Sequence, residues 1–151
     1  MPYLREQFLN AKSARSEAKA RIVAKYFHAW AQVVRRAAKL HSGGRLAYID
    51  LFAGPGRYLD GSKSPPLLIL EDAVKDADLS QMLISIFNDI DRENTHSLAR
   101  AIETIPGIGN LKNRPDVYTE NNEAVGTKRE LGEFWTAAHG TKCRLQASDC
   151  R

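Results

Sequence analysis

The chain has 151 residues and 16.9 kDa, with 43% hydrophobic and 26% charged residues and a formal net charge of +4. That is one soluble globular domain with material for a core; no apolar run is as long as a membrane span, and residues 1–20 are too polar for a signal peptide. The only cysteines, Cys143 and Cys150, stand in a polar tail; they point to a reducing, cytoplasmic compartment, and with His139 they match no zinc-finger spacing.

Residues 1–45 carry ten Lys and Arg against two Glu, and the remainder twelve against sixteen acids, so the positive charge is N-terminal. Leu4 to Leu40 contains no Gly or Pro and is rich in Ala, Arg, Lys and Glu, which predicts a helix. At about 100° per residue, Ile22, Val23, Tyr26, Phe27, Trp30, Val33, Val34 and Ala37 share one side. Arg21, Lys25, His28, Arg35, Arg36 and Lys39 share the other. The apolar stripe, Trp30 included, is expected to pack on the core. The basic stripe, with an exposed His28, either faces solvent or lies along a nucleic-acid backbone.

Ser42-Gly43-Gly44 stops this helix. Leu46 to Phe52 reads as a first strand. Ser64-Pro65 then supplies the N-cap and first position of a helix from Pro66 to Val74. Met82 to Phe87 is apolar almost throughout, as a strand buried on both faces should be. Glu93 to Ile105 follows as a helix with Leu98, Ala101, Ile102 and Ile105 at helical spacing, ended by Pro106-Gly107. Val117-Tyr118-Thr119 is a weak third strand. Thr127-Lys-Arg-Glu130 is a capping box opening a last helix, striped by Leu131, Phe134, Trp135 and Ala138 and ended by Gly140.

The order predicts an α/β fold: a Rossmann-like parallel sheet, right-handed and doubly wound. Residues 1–44 form an N-terminal helical extension, 45–140 the Rossmann-like half, and 141–151 a tail. Thr141 to Arg151 offers only Cys143, Leu145 and Ala147 as apolar residues, so a fourth strand is missing. The sheet is expected to be incomplete at its C-terminus, and the chain reads as the N-terminal portion of a longer protein.

Chemistry concentrates in Tyr48-Ile-Asp-Leu-Phe-Ala-Gly-Pro-Gly-Arg-Tyr58. A buried strand ending in Asp50 and a turn with Gly54 and Gly56 is how an α/β sheet presents a ligand site. Glycine permits close backbone approach and positive φ. The spacing is neither the dinucleotide fingerprint nor a phosphate loop, and it suits S-adenosylmethionine, which has no phosphate. A plain structural turn is the alternative. Asp89, beside this loop at the end of the second strand, can accept ribose hydroxyls, while Asp91 can do so or cap the next helix.

These residues resemble class I S-adenosylmethionine-dependent methyltransferases: Asp50-Leu-Phe-Ala-Gly-Pro-Gly56 looks like their first motif and Phe87-Asn-Asp-Ile-Asp91 like their second. The run from Tyr48 to Gly61 followed by Ser64-Pro65, with Glu17-Ala-Lys19 and Tyr26-Phe-His-Ala-Trp30, is more closely similar to the three-Cys-motif partner protein family. That family is bacterial or phage-associated and methyltransferase-like. The resemblance covers roughly residues 15–125.

It implies S-adenosylmethionine as cofactor and a contact set of Asp50, Phe52, Ala53, Gly54, Pro55, Gly56, Asp89, Ile90 and Asn122. It also implies a three-Cys-motif protein as partner. Two departures stand out. Asn121-Asn122 occupies the place of an acid near the adenine, and no Asp-Pro-Pro-Tyr-like acceptor motif occurs. Cytosine-C5 chemistry is unsupported, since Cys143 follows Lys142 rather than a proline. The absent acceptor motif also fits a non-catalytic Rossmann-like module working with another protein.

Overall fold

A computed structural model describes residues 14–119. The first helix, α1 (Ala14–His41), has no Gly or Pro to interrupt it. It ends where Gly43 and Gly44 take φ of 60° and 72° and the Gly44 N–H reaches back to the Ala38 carbonyl at 2.9 Å. β1 (Leu46–Asp50) follows, then α2 (Pro65–Ala73), a single turn α3 (Leu79–Met82), β2 (Leu83–Asn88), α4 (Arg92–Glu103), a 3-10 turn Ile108–Asn110 and β3 (Asp116–Tyr118). Over the described residues strand and helix order agree with the sequence reading, with ends shifted by one or two residues. The expected helix start at Leu4 lies outside the described residues, and the turn Leu79–Met82 is additional. Ser64 is the N-cap of α2, but its hydroxyl makes no cap bond. Pro65 and Pro66 leave it no N–H at the first two helical positions.

The sheet is parallel, in the order β1-β2-β3, with Leu46 opposite Leu83 and Phe87 opposite Val117. Side chains alternate between faces. Leu46, Leu83 and Phe87 point into one core with Leu67, Leu70, Leu98 and Ile102 from the helices. The opposite face carries a small separate cluster of Ile86, Leu51 and Tyr118, and Ile49 there is 38% exposed. The described helices thus build one layer, and the second layer of a doubly wound sheet is not among the described residues. No helix among them is long and apolar enough to cross a membrane.

The burial of α1 corrects the expected stripe. Ala20, Ala24, Phe27, Ala31 and Ala38 are buried, whereas Ile22, Tyr26 and Val33 are 65%, 72% and 78% exposed. Small alanines let α1 lie close against α2, and close packing outweighs the larger side chains that alanine displaces outward. Phe27 anchors the face, its ring edge-on to Tyr48 at 5.0 Å. Trp30 is 39% exposed, only leaning on Phe27 at 5.8 Å. His28 is half-buried rather than exposed, beside Gln32. The cations nearest the domain are tied down: Arg35 and Lys39 both reach Asp78, at 3.3 and 2.7 Å.

Candidate functional site at the strand ends

Parallel register places Asp50 opposite Phe87, so the carboxyl ends of β1 and β2 open side by side. The loop after β1 is shaped by three successive N–H groups, each held by an acceptor. Phe52 donates to Asp50 Oδ1 (3.0 Å), Ala53 to the Asn88 carbonyl (2.9 Å) and Gly54 to Asp89 Oδ2 (3.0 Å). The first is the local turn that aspartate favours; the other two fasten the loop onto the end of β2.

Gly54 and Gly56, on either side of Pro55, have φ of 69° and 81°, a region that a Cβ disfavours. Their surroundings differ. A Cβ on Gly56 would meet Leu98 Cδ1 at 3.0 Å and Ala101 Cβ and Leu98 Cα at 3.1 Å, so this glycine seats the loop on α4. A Cβ on Gly54 would meet only the Tyr58 hydroxyl, at 3.8 Å. Beyond Gly56 the chain makes a small excursion, bridged between Arg57 and Lys63, and returns through the Ser64 N–H on the Gly56 carbonyl at 2.7 Å.

Asp89 is more heavily engaged than its position at a strand end suggests. Oδ1 accepts from the Asp91 N–H (2.8 Å) and from Asn94 Nδ2 (3.3 Å), while Oδ2 holds Gly54. A carboxylate offers about four acceptor positions, so one remains, on Oδ2. Asp91 caps α4 by accepting from the Glu93 N–H at 2.9 Å. Asp50 Oδ2 lies 3.4 Å from the Tyr48 hydroxyl. Burial pushes that phenol well above its ordinary value, and the charge and hydrogen bond of Asp50 push it further. Tyr58 is raised as well, by burial first and then by Asp50 and Asp60. Both tyrosines therefore remain protonated at neutral pH.

No family model, no curated protein and no solved structure matches this chain.

The strand ends bring together Asp50, Phe52, Ala53, Gly54, Pro55, Gly56, Asp89 and Ile90. Asn122 lies outside the described residues, as do the last predicted helix, His139, Cys143 and Cys150. Phe52 and Ile90 are 78% and 75% exposed, two large apolar side chains standing free at neighbouring strand ends. Beside them a groove lined by Ile90, Asp91, Arg92 and Glu93 is wide open to solvent. Tyr48, Tyr58 and Asn94 stand beside the two aspartates. Both tyrosines lie in the stretch the sequence singles out, where Tyr58 reads as touching a ligand or guarding the loop, whereas Asn94 was missed because its reach to Asp89 depends on the turn into α4. Among the described residues no three His, Cys, Asp or Glu side chains cluster as metal ligands. The mouth is rich in acceptors. Its first three loop N–H groups are already engaged, so it lacks there the free N–H cradle that a phosphate requires.

Proposed function

We propose that the chain binds S-adenosylmethionine at the carboxyl ends of β1 and β2, as the cofactor-binding part of a methyltransferase-like protein of the three-Cys-motif partner kind. The observation that carries this reading is the engagement of the Phe52, Ala53 and Gly54 N–H groups by protein acceptors beside two carboxylates. A ligand with a sulfonium, an ammonium and hydroxyls complements such a mouth, whereas a pyrophosphate would face Asp50 and Asp89 without compensating donors. Asp50 faces the methionine end, the remaining acceptor of Asp89 takes one ribose hydroxyl, and Phe52 and Ile90 flank the adenine. Methyl transfer would pass the methyl carbon from the sulfonium to the lone pair of an acceptor, leaving S-adenosylhomocysteine, with the acceptor's proton lost to solvent. The protein's part is positioning and electrostatics.

Titration calorimetry of the chain with S-adenosylhomocysteine, and with ADP as a phosphate-bearing control, tests this. S-adenosylhomocysteine should bind and ADP should not. Phe52→Ser and Ile90→Ser should each weaken binding about tenfold, equivalent to ~1.4 kcal/mol, with the unfolding midpoint unchanged. Preference for ADP, or no adenosyl binding at all, rejects the reading in favour of a turn without a ligand.

A further inference from the structure

We propose that the outer face of α1 is a docking surface for a helix of another protein, one with an apolar stripe flanked by Asp and Glu. The inference is independent of the cofactor site.

The buried side of α1 uses Ala20, Ala24, Phe27, Ala31 and Ala38. Nearly opposite runs a second apolar seam, Ile22, Tyr26, Ala29, Val33, Ala37 and Leu40, all exposed; Ile22, Tyr26, Val33 and Leu40 are 65%, 72%, 78% and 75% accessible. Steps of four and three residues alternate along most of it, which is the seam by which one helix packs against another. At 1.5 Å per residue the seam is roughly 27 Å long. A helix apolar on both sides is normally covered on both, and an exposed apolar surface of this extent marks an interaction site.

The charges beside the seam select the occupant. Lys25 and Arg36 border it on one side, and Lys19 and His41 on the other. All four are exposed, and the three Lys and Arg have no carboxylate partner among the described residues. The basic side chains turned toward the domain or along α1 are paired instead, Arg35 and Lys39 with Asp78 and Arg21 with Glu17. A second copy of this chain would set cations against cations along the seam, which is unfavourable. A nucleic-acid backbone would satisfy the cations but leave a long apolar seam against phosphates. A lipid surface gains nothing from Ala29 and Ala37, whose small side chains admit a close-packed helix. Acidic flanks on an apolar helix satisfy both features.

The probe is a labelled 28-residue amphipathic peptide with Leu and Ile at its seam positions and Glu at the flanks, compared by fluorescence anisotropy with the same peptide carrying Lys at the flanks. The Glu peptide should bind at least tenfold more tightly than the Lys peptide. Val33→Glu should abolish binding, and far-UV circular dichroism should confirm that its helix content is unchanged. The double charge swap K25E/R36E should invert the preference between peptides, an effect that mere misfolding would not produce. Equal binding of both peptides, or of neither, overturns the proposal. So does a dimer in sedimentation that Val33→Glu dissociates, or Val33-dependent capture of phosphatidylserine vesicles or of a duplex DNA oligonucleotide in place of the peptide.

Discussion

Asp89 and Gly54 are 35 residues apart in the chain, and the carboxylate of one accepts the amide proton of the other at 3.0 Å. The contact joins the loop after β1 to the end of β2, so the residue read as a ligand acceptor also sets the shape of the loop facing it. On the proposed function, one side chain would couple binding to the order of the loop.

Asp89→Ala should therefore weaken binding of S-adenosylhomocysteine by about 1.5–3 kcal/mol, the scale of hydrogen bonds to a charged group. Asp91→Ala removes the cap of α4 and should cost about 0.5–2 kcal/mol of folding stability, with binding largely kept. Calorimetry beside urea unfolding separates the two. Equal losses of binding would mean that the carboxylates act only as supports of the loop.

The two glycines of the loop should behave differently. Gly56→Ala drives a methyl into Leu98 and Ala101 at an unfavourable φ, and should destabilise by roughly 2–4 kcal/mol from overpacking plus backbone strain. Gly54→Ala meets no close neighbour and should cost only the backbone strain, about 1–2 kcal/mol. Thermal unfolding of the two variants measures the difference; similar midpoints would show that α4 yields at Gly56.

The burial of α1 gives a sharp contrast across about half a turn. Ala31 is fully buried and Val33 is 78% exposed. Ala31→Leu should lower stability by about 1–3 kcal/mol through overpacking, while Val33→Asp should stay within about 0.5 kcal/mol of the parent. Reversed effects in urea unfolding would show that the larger apolar side chains face the core after all.

Asp76 should make the attachment of α1 acid-sensitive. Burial by itself raises its carboxyl, but the N–H groups of Leu79 and Asp78, the Gln32 amide and the charge of Arg35 outweigh this and hold it below 3.8. A folded value below the unfolded one contributes stability that is complete above the unfolded value and is lost as pH falls through the folded one. The window thus lies below pH 3.8. Asp76→Asn should flatten the loss of stability in that window, as read from urea midpoints at a series of acid pH values. An unchanged slope would assign the acid sensitivity to other carboxylates.

The sequence by itself determined the order of the described elements, the strand ends with Asp50 and Asp89 and the glycine loop, and it offered the helix cap at Asp91 as one of two roles. Each of these is a local matter of periodicity, turn chemistry or N–H satisfaction within a few residues. Which side of α1 is buried was not local. Both sides are apolar, and the choice fell to the alanine side because only small side chains let α1 approach α2 closely enough to pack. The place of Gly56 against α4 and the clamp of Asp89 on Gly54 likewise arise only when the strands and α4 pack together. The seam on the outer face of α1 was hidden for the same reason: a stripe that reads as core in one dimension becomes surface once another stripe has taken the core.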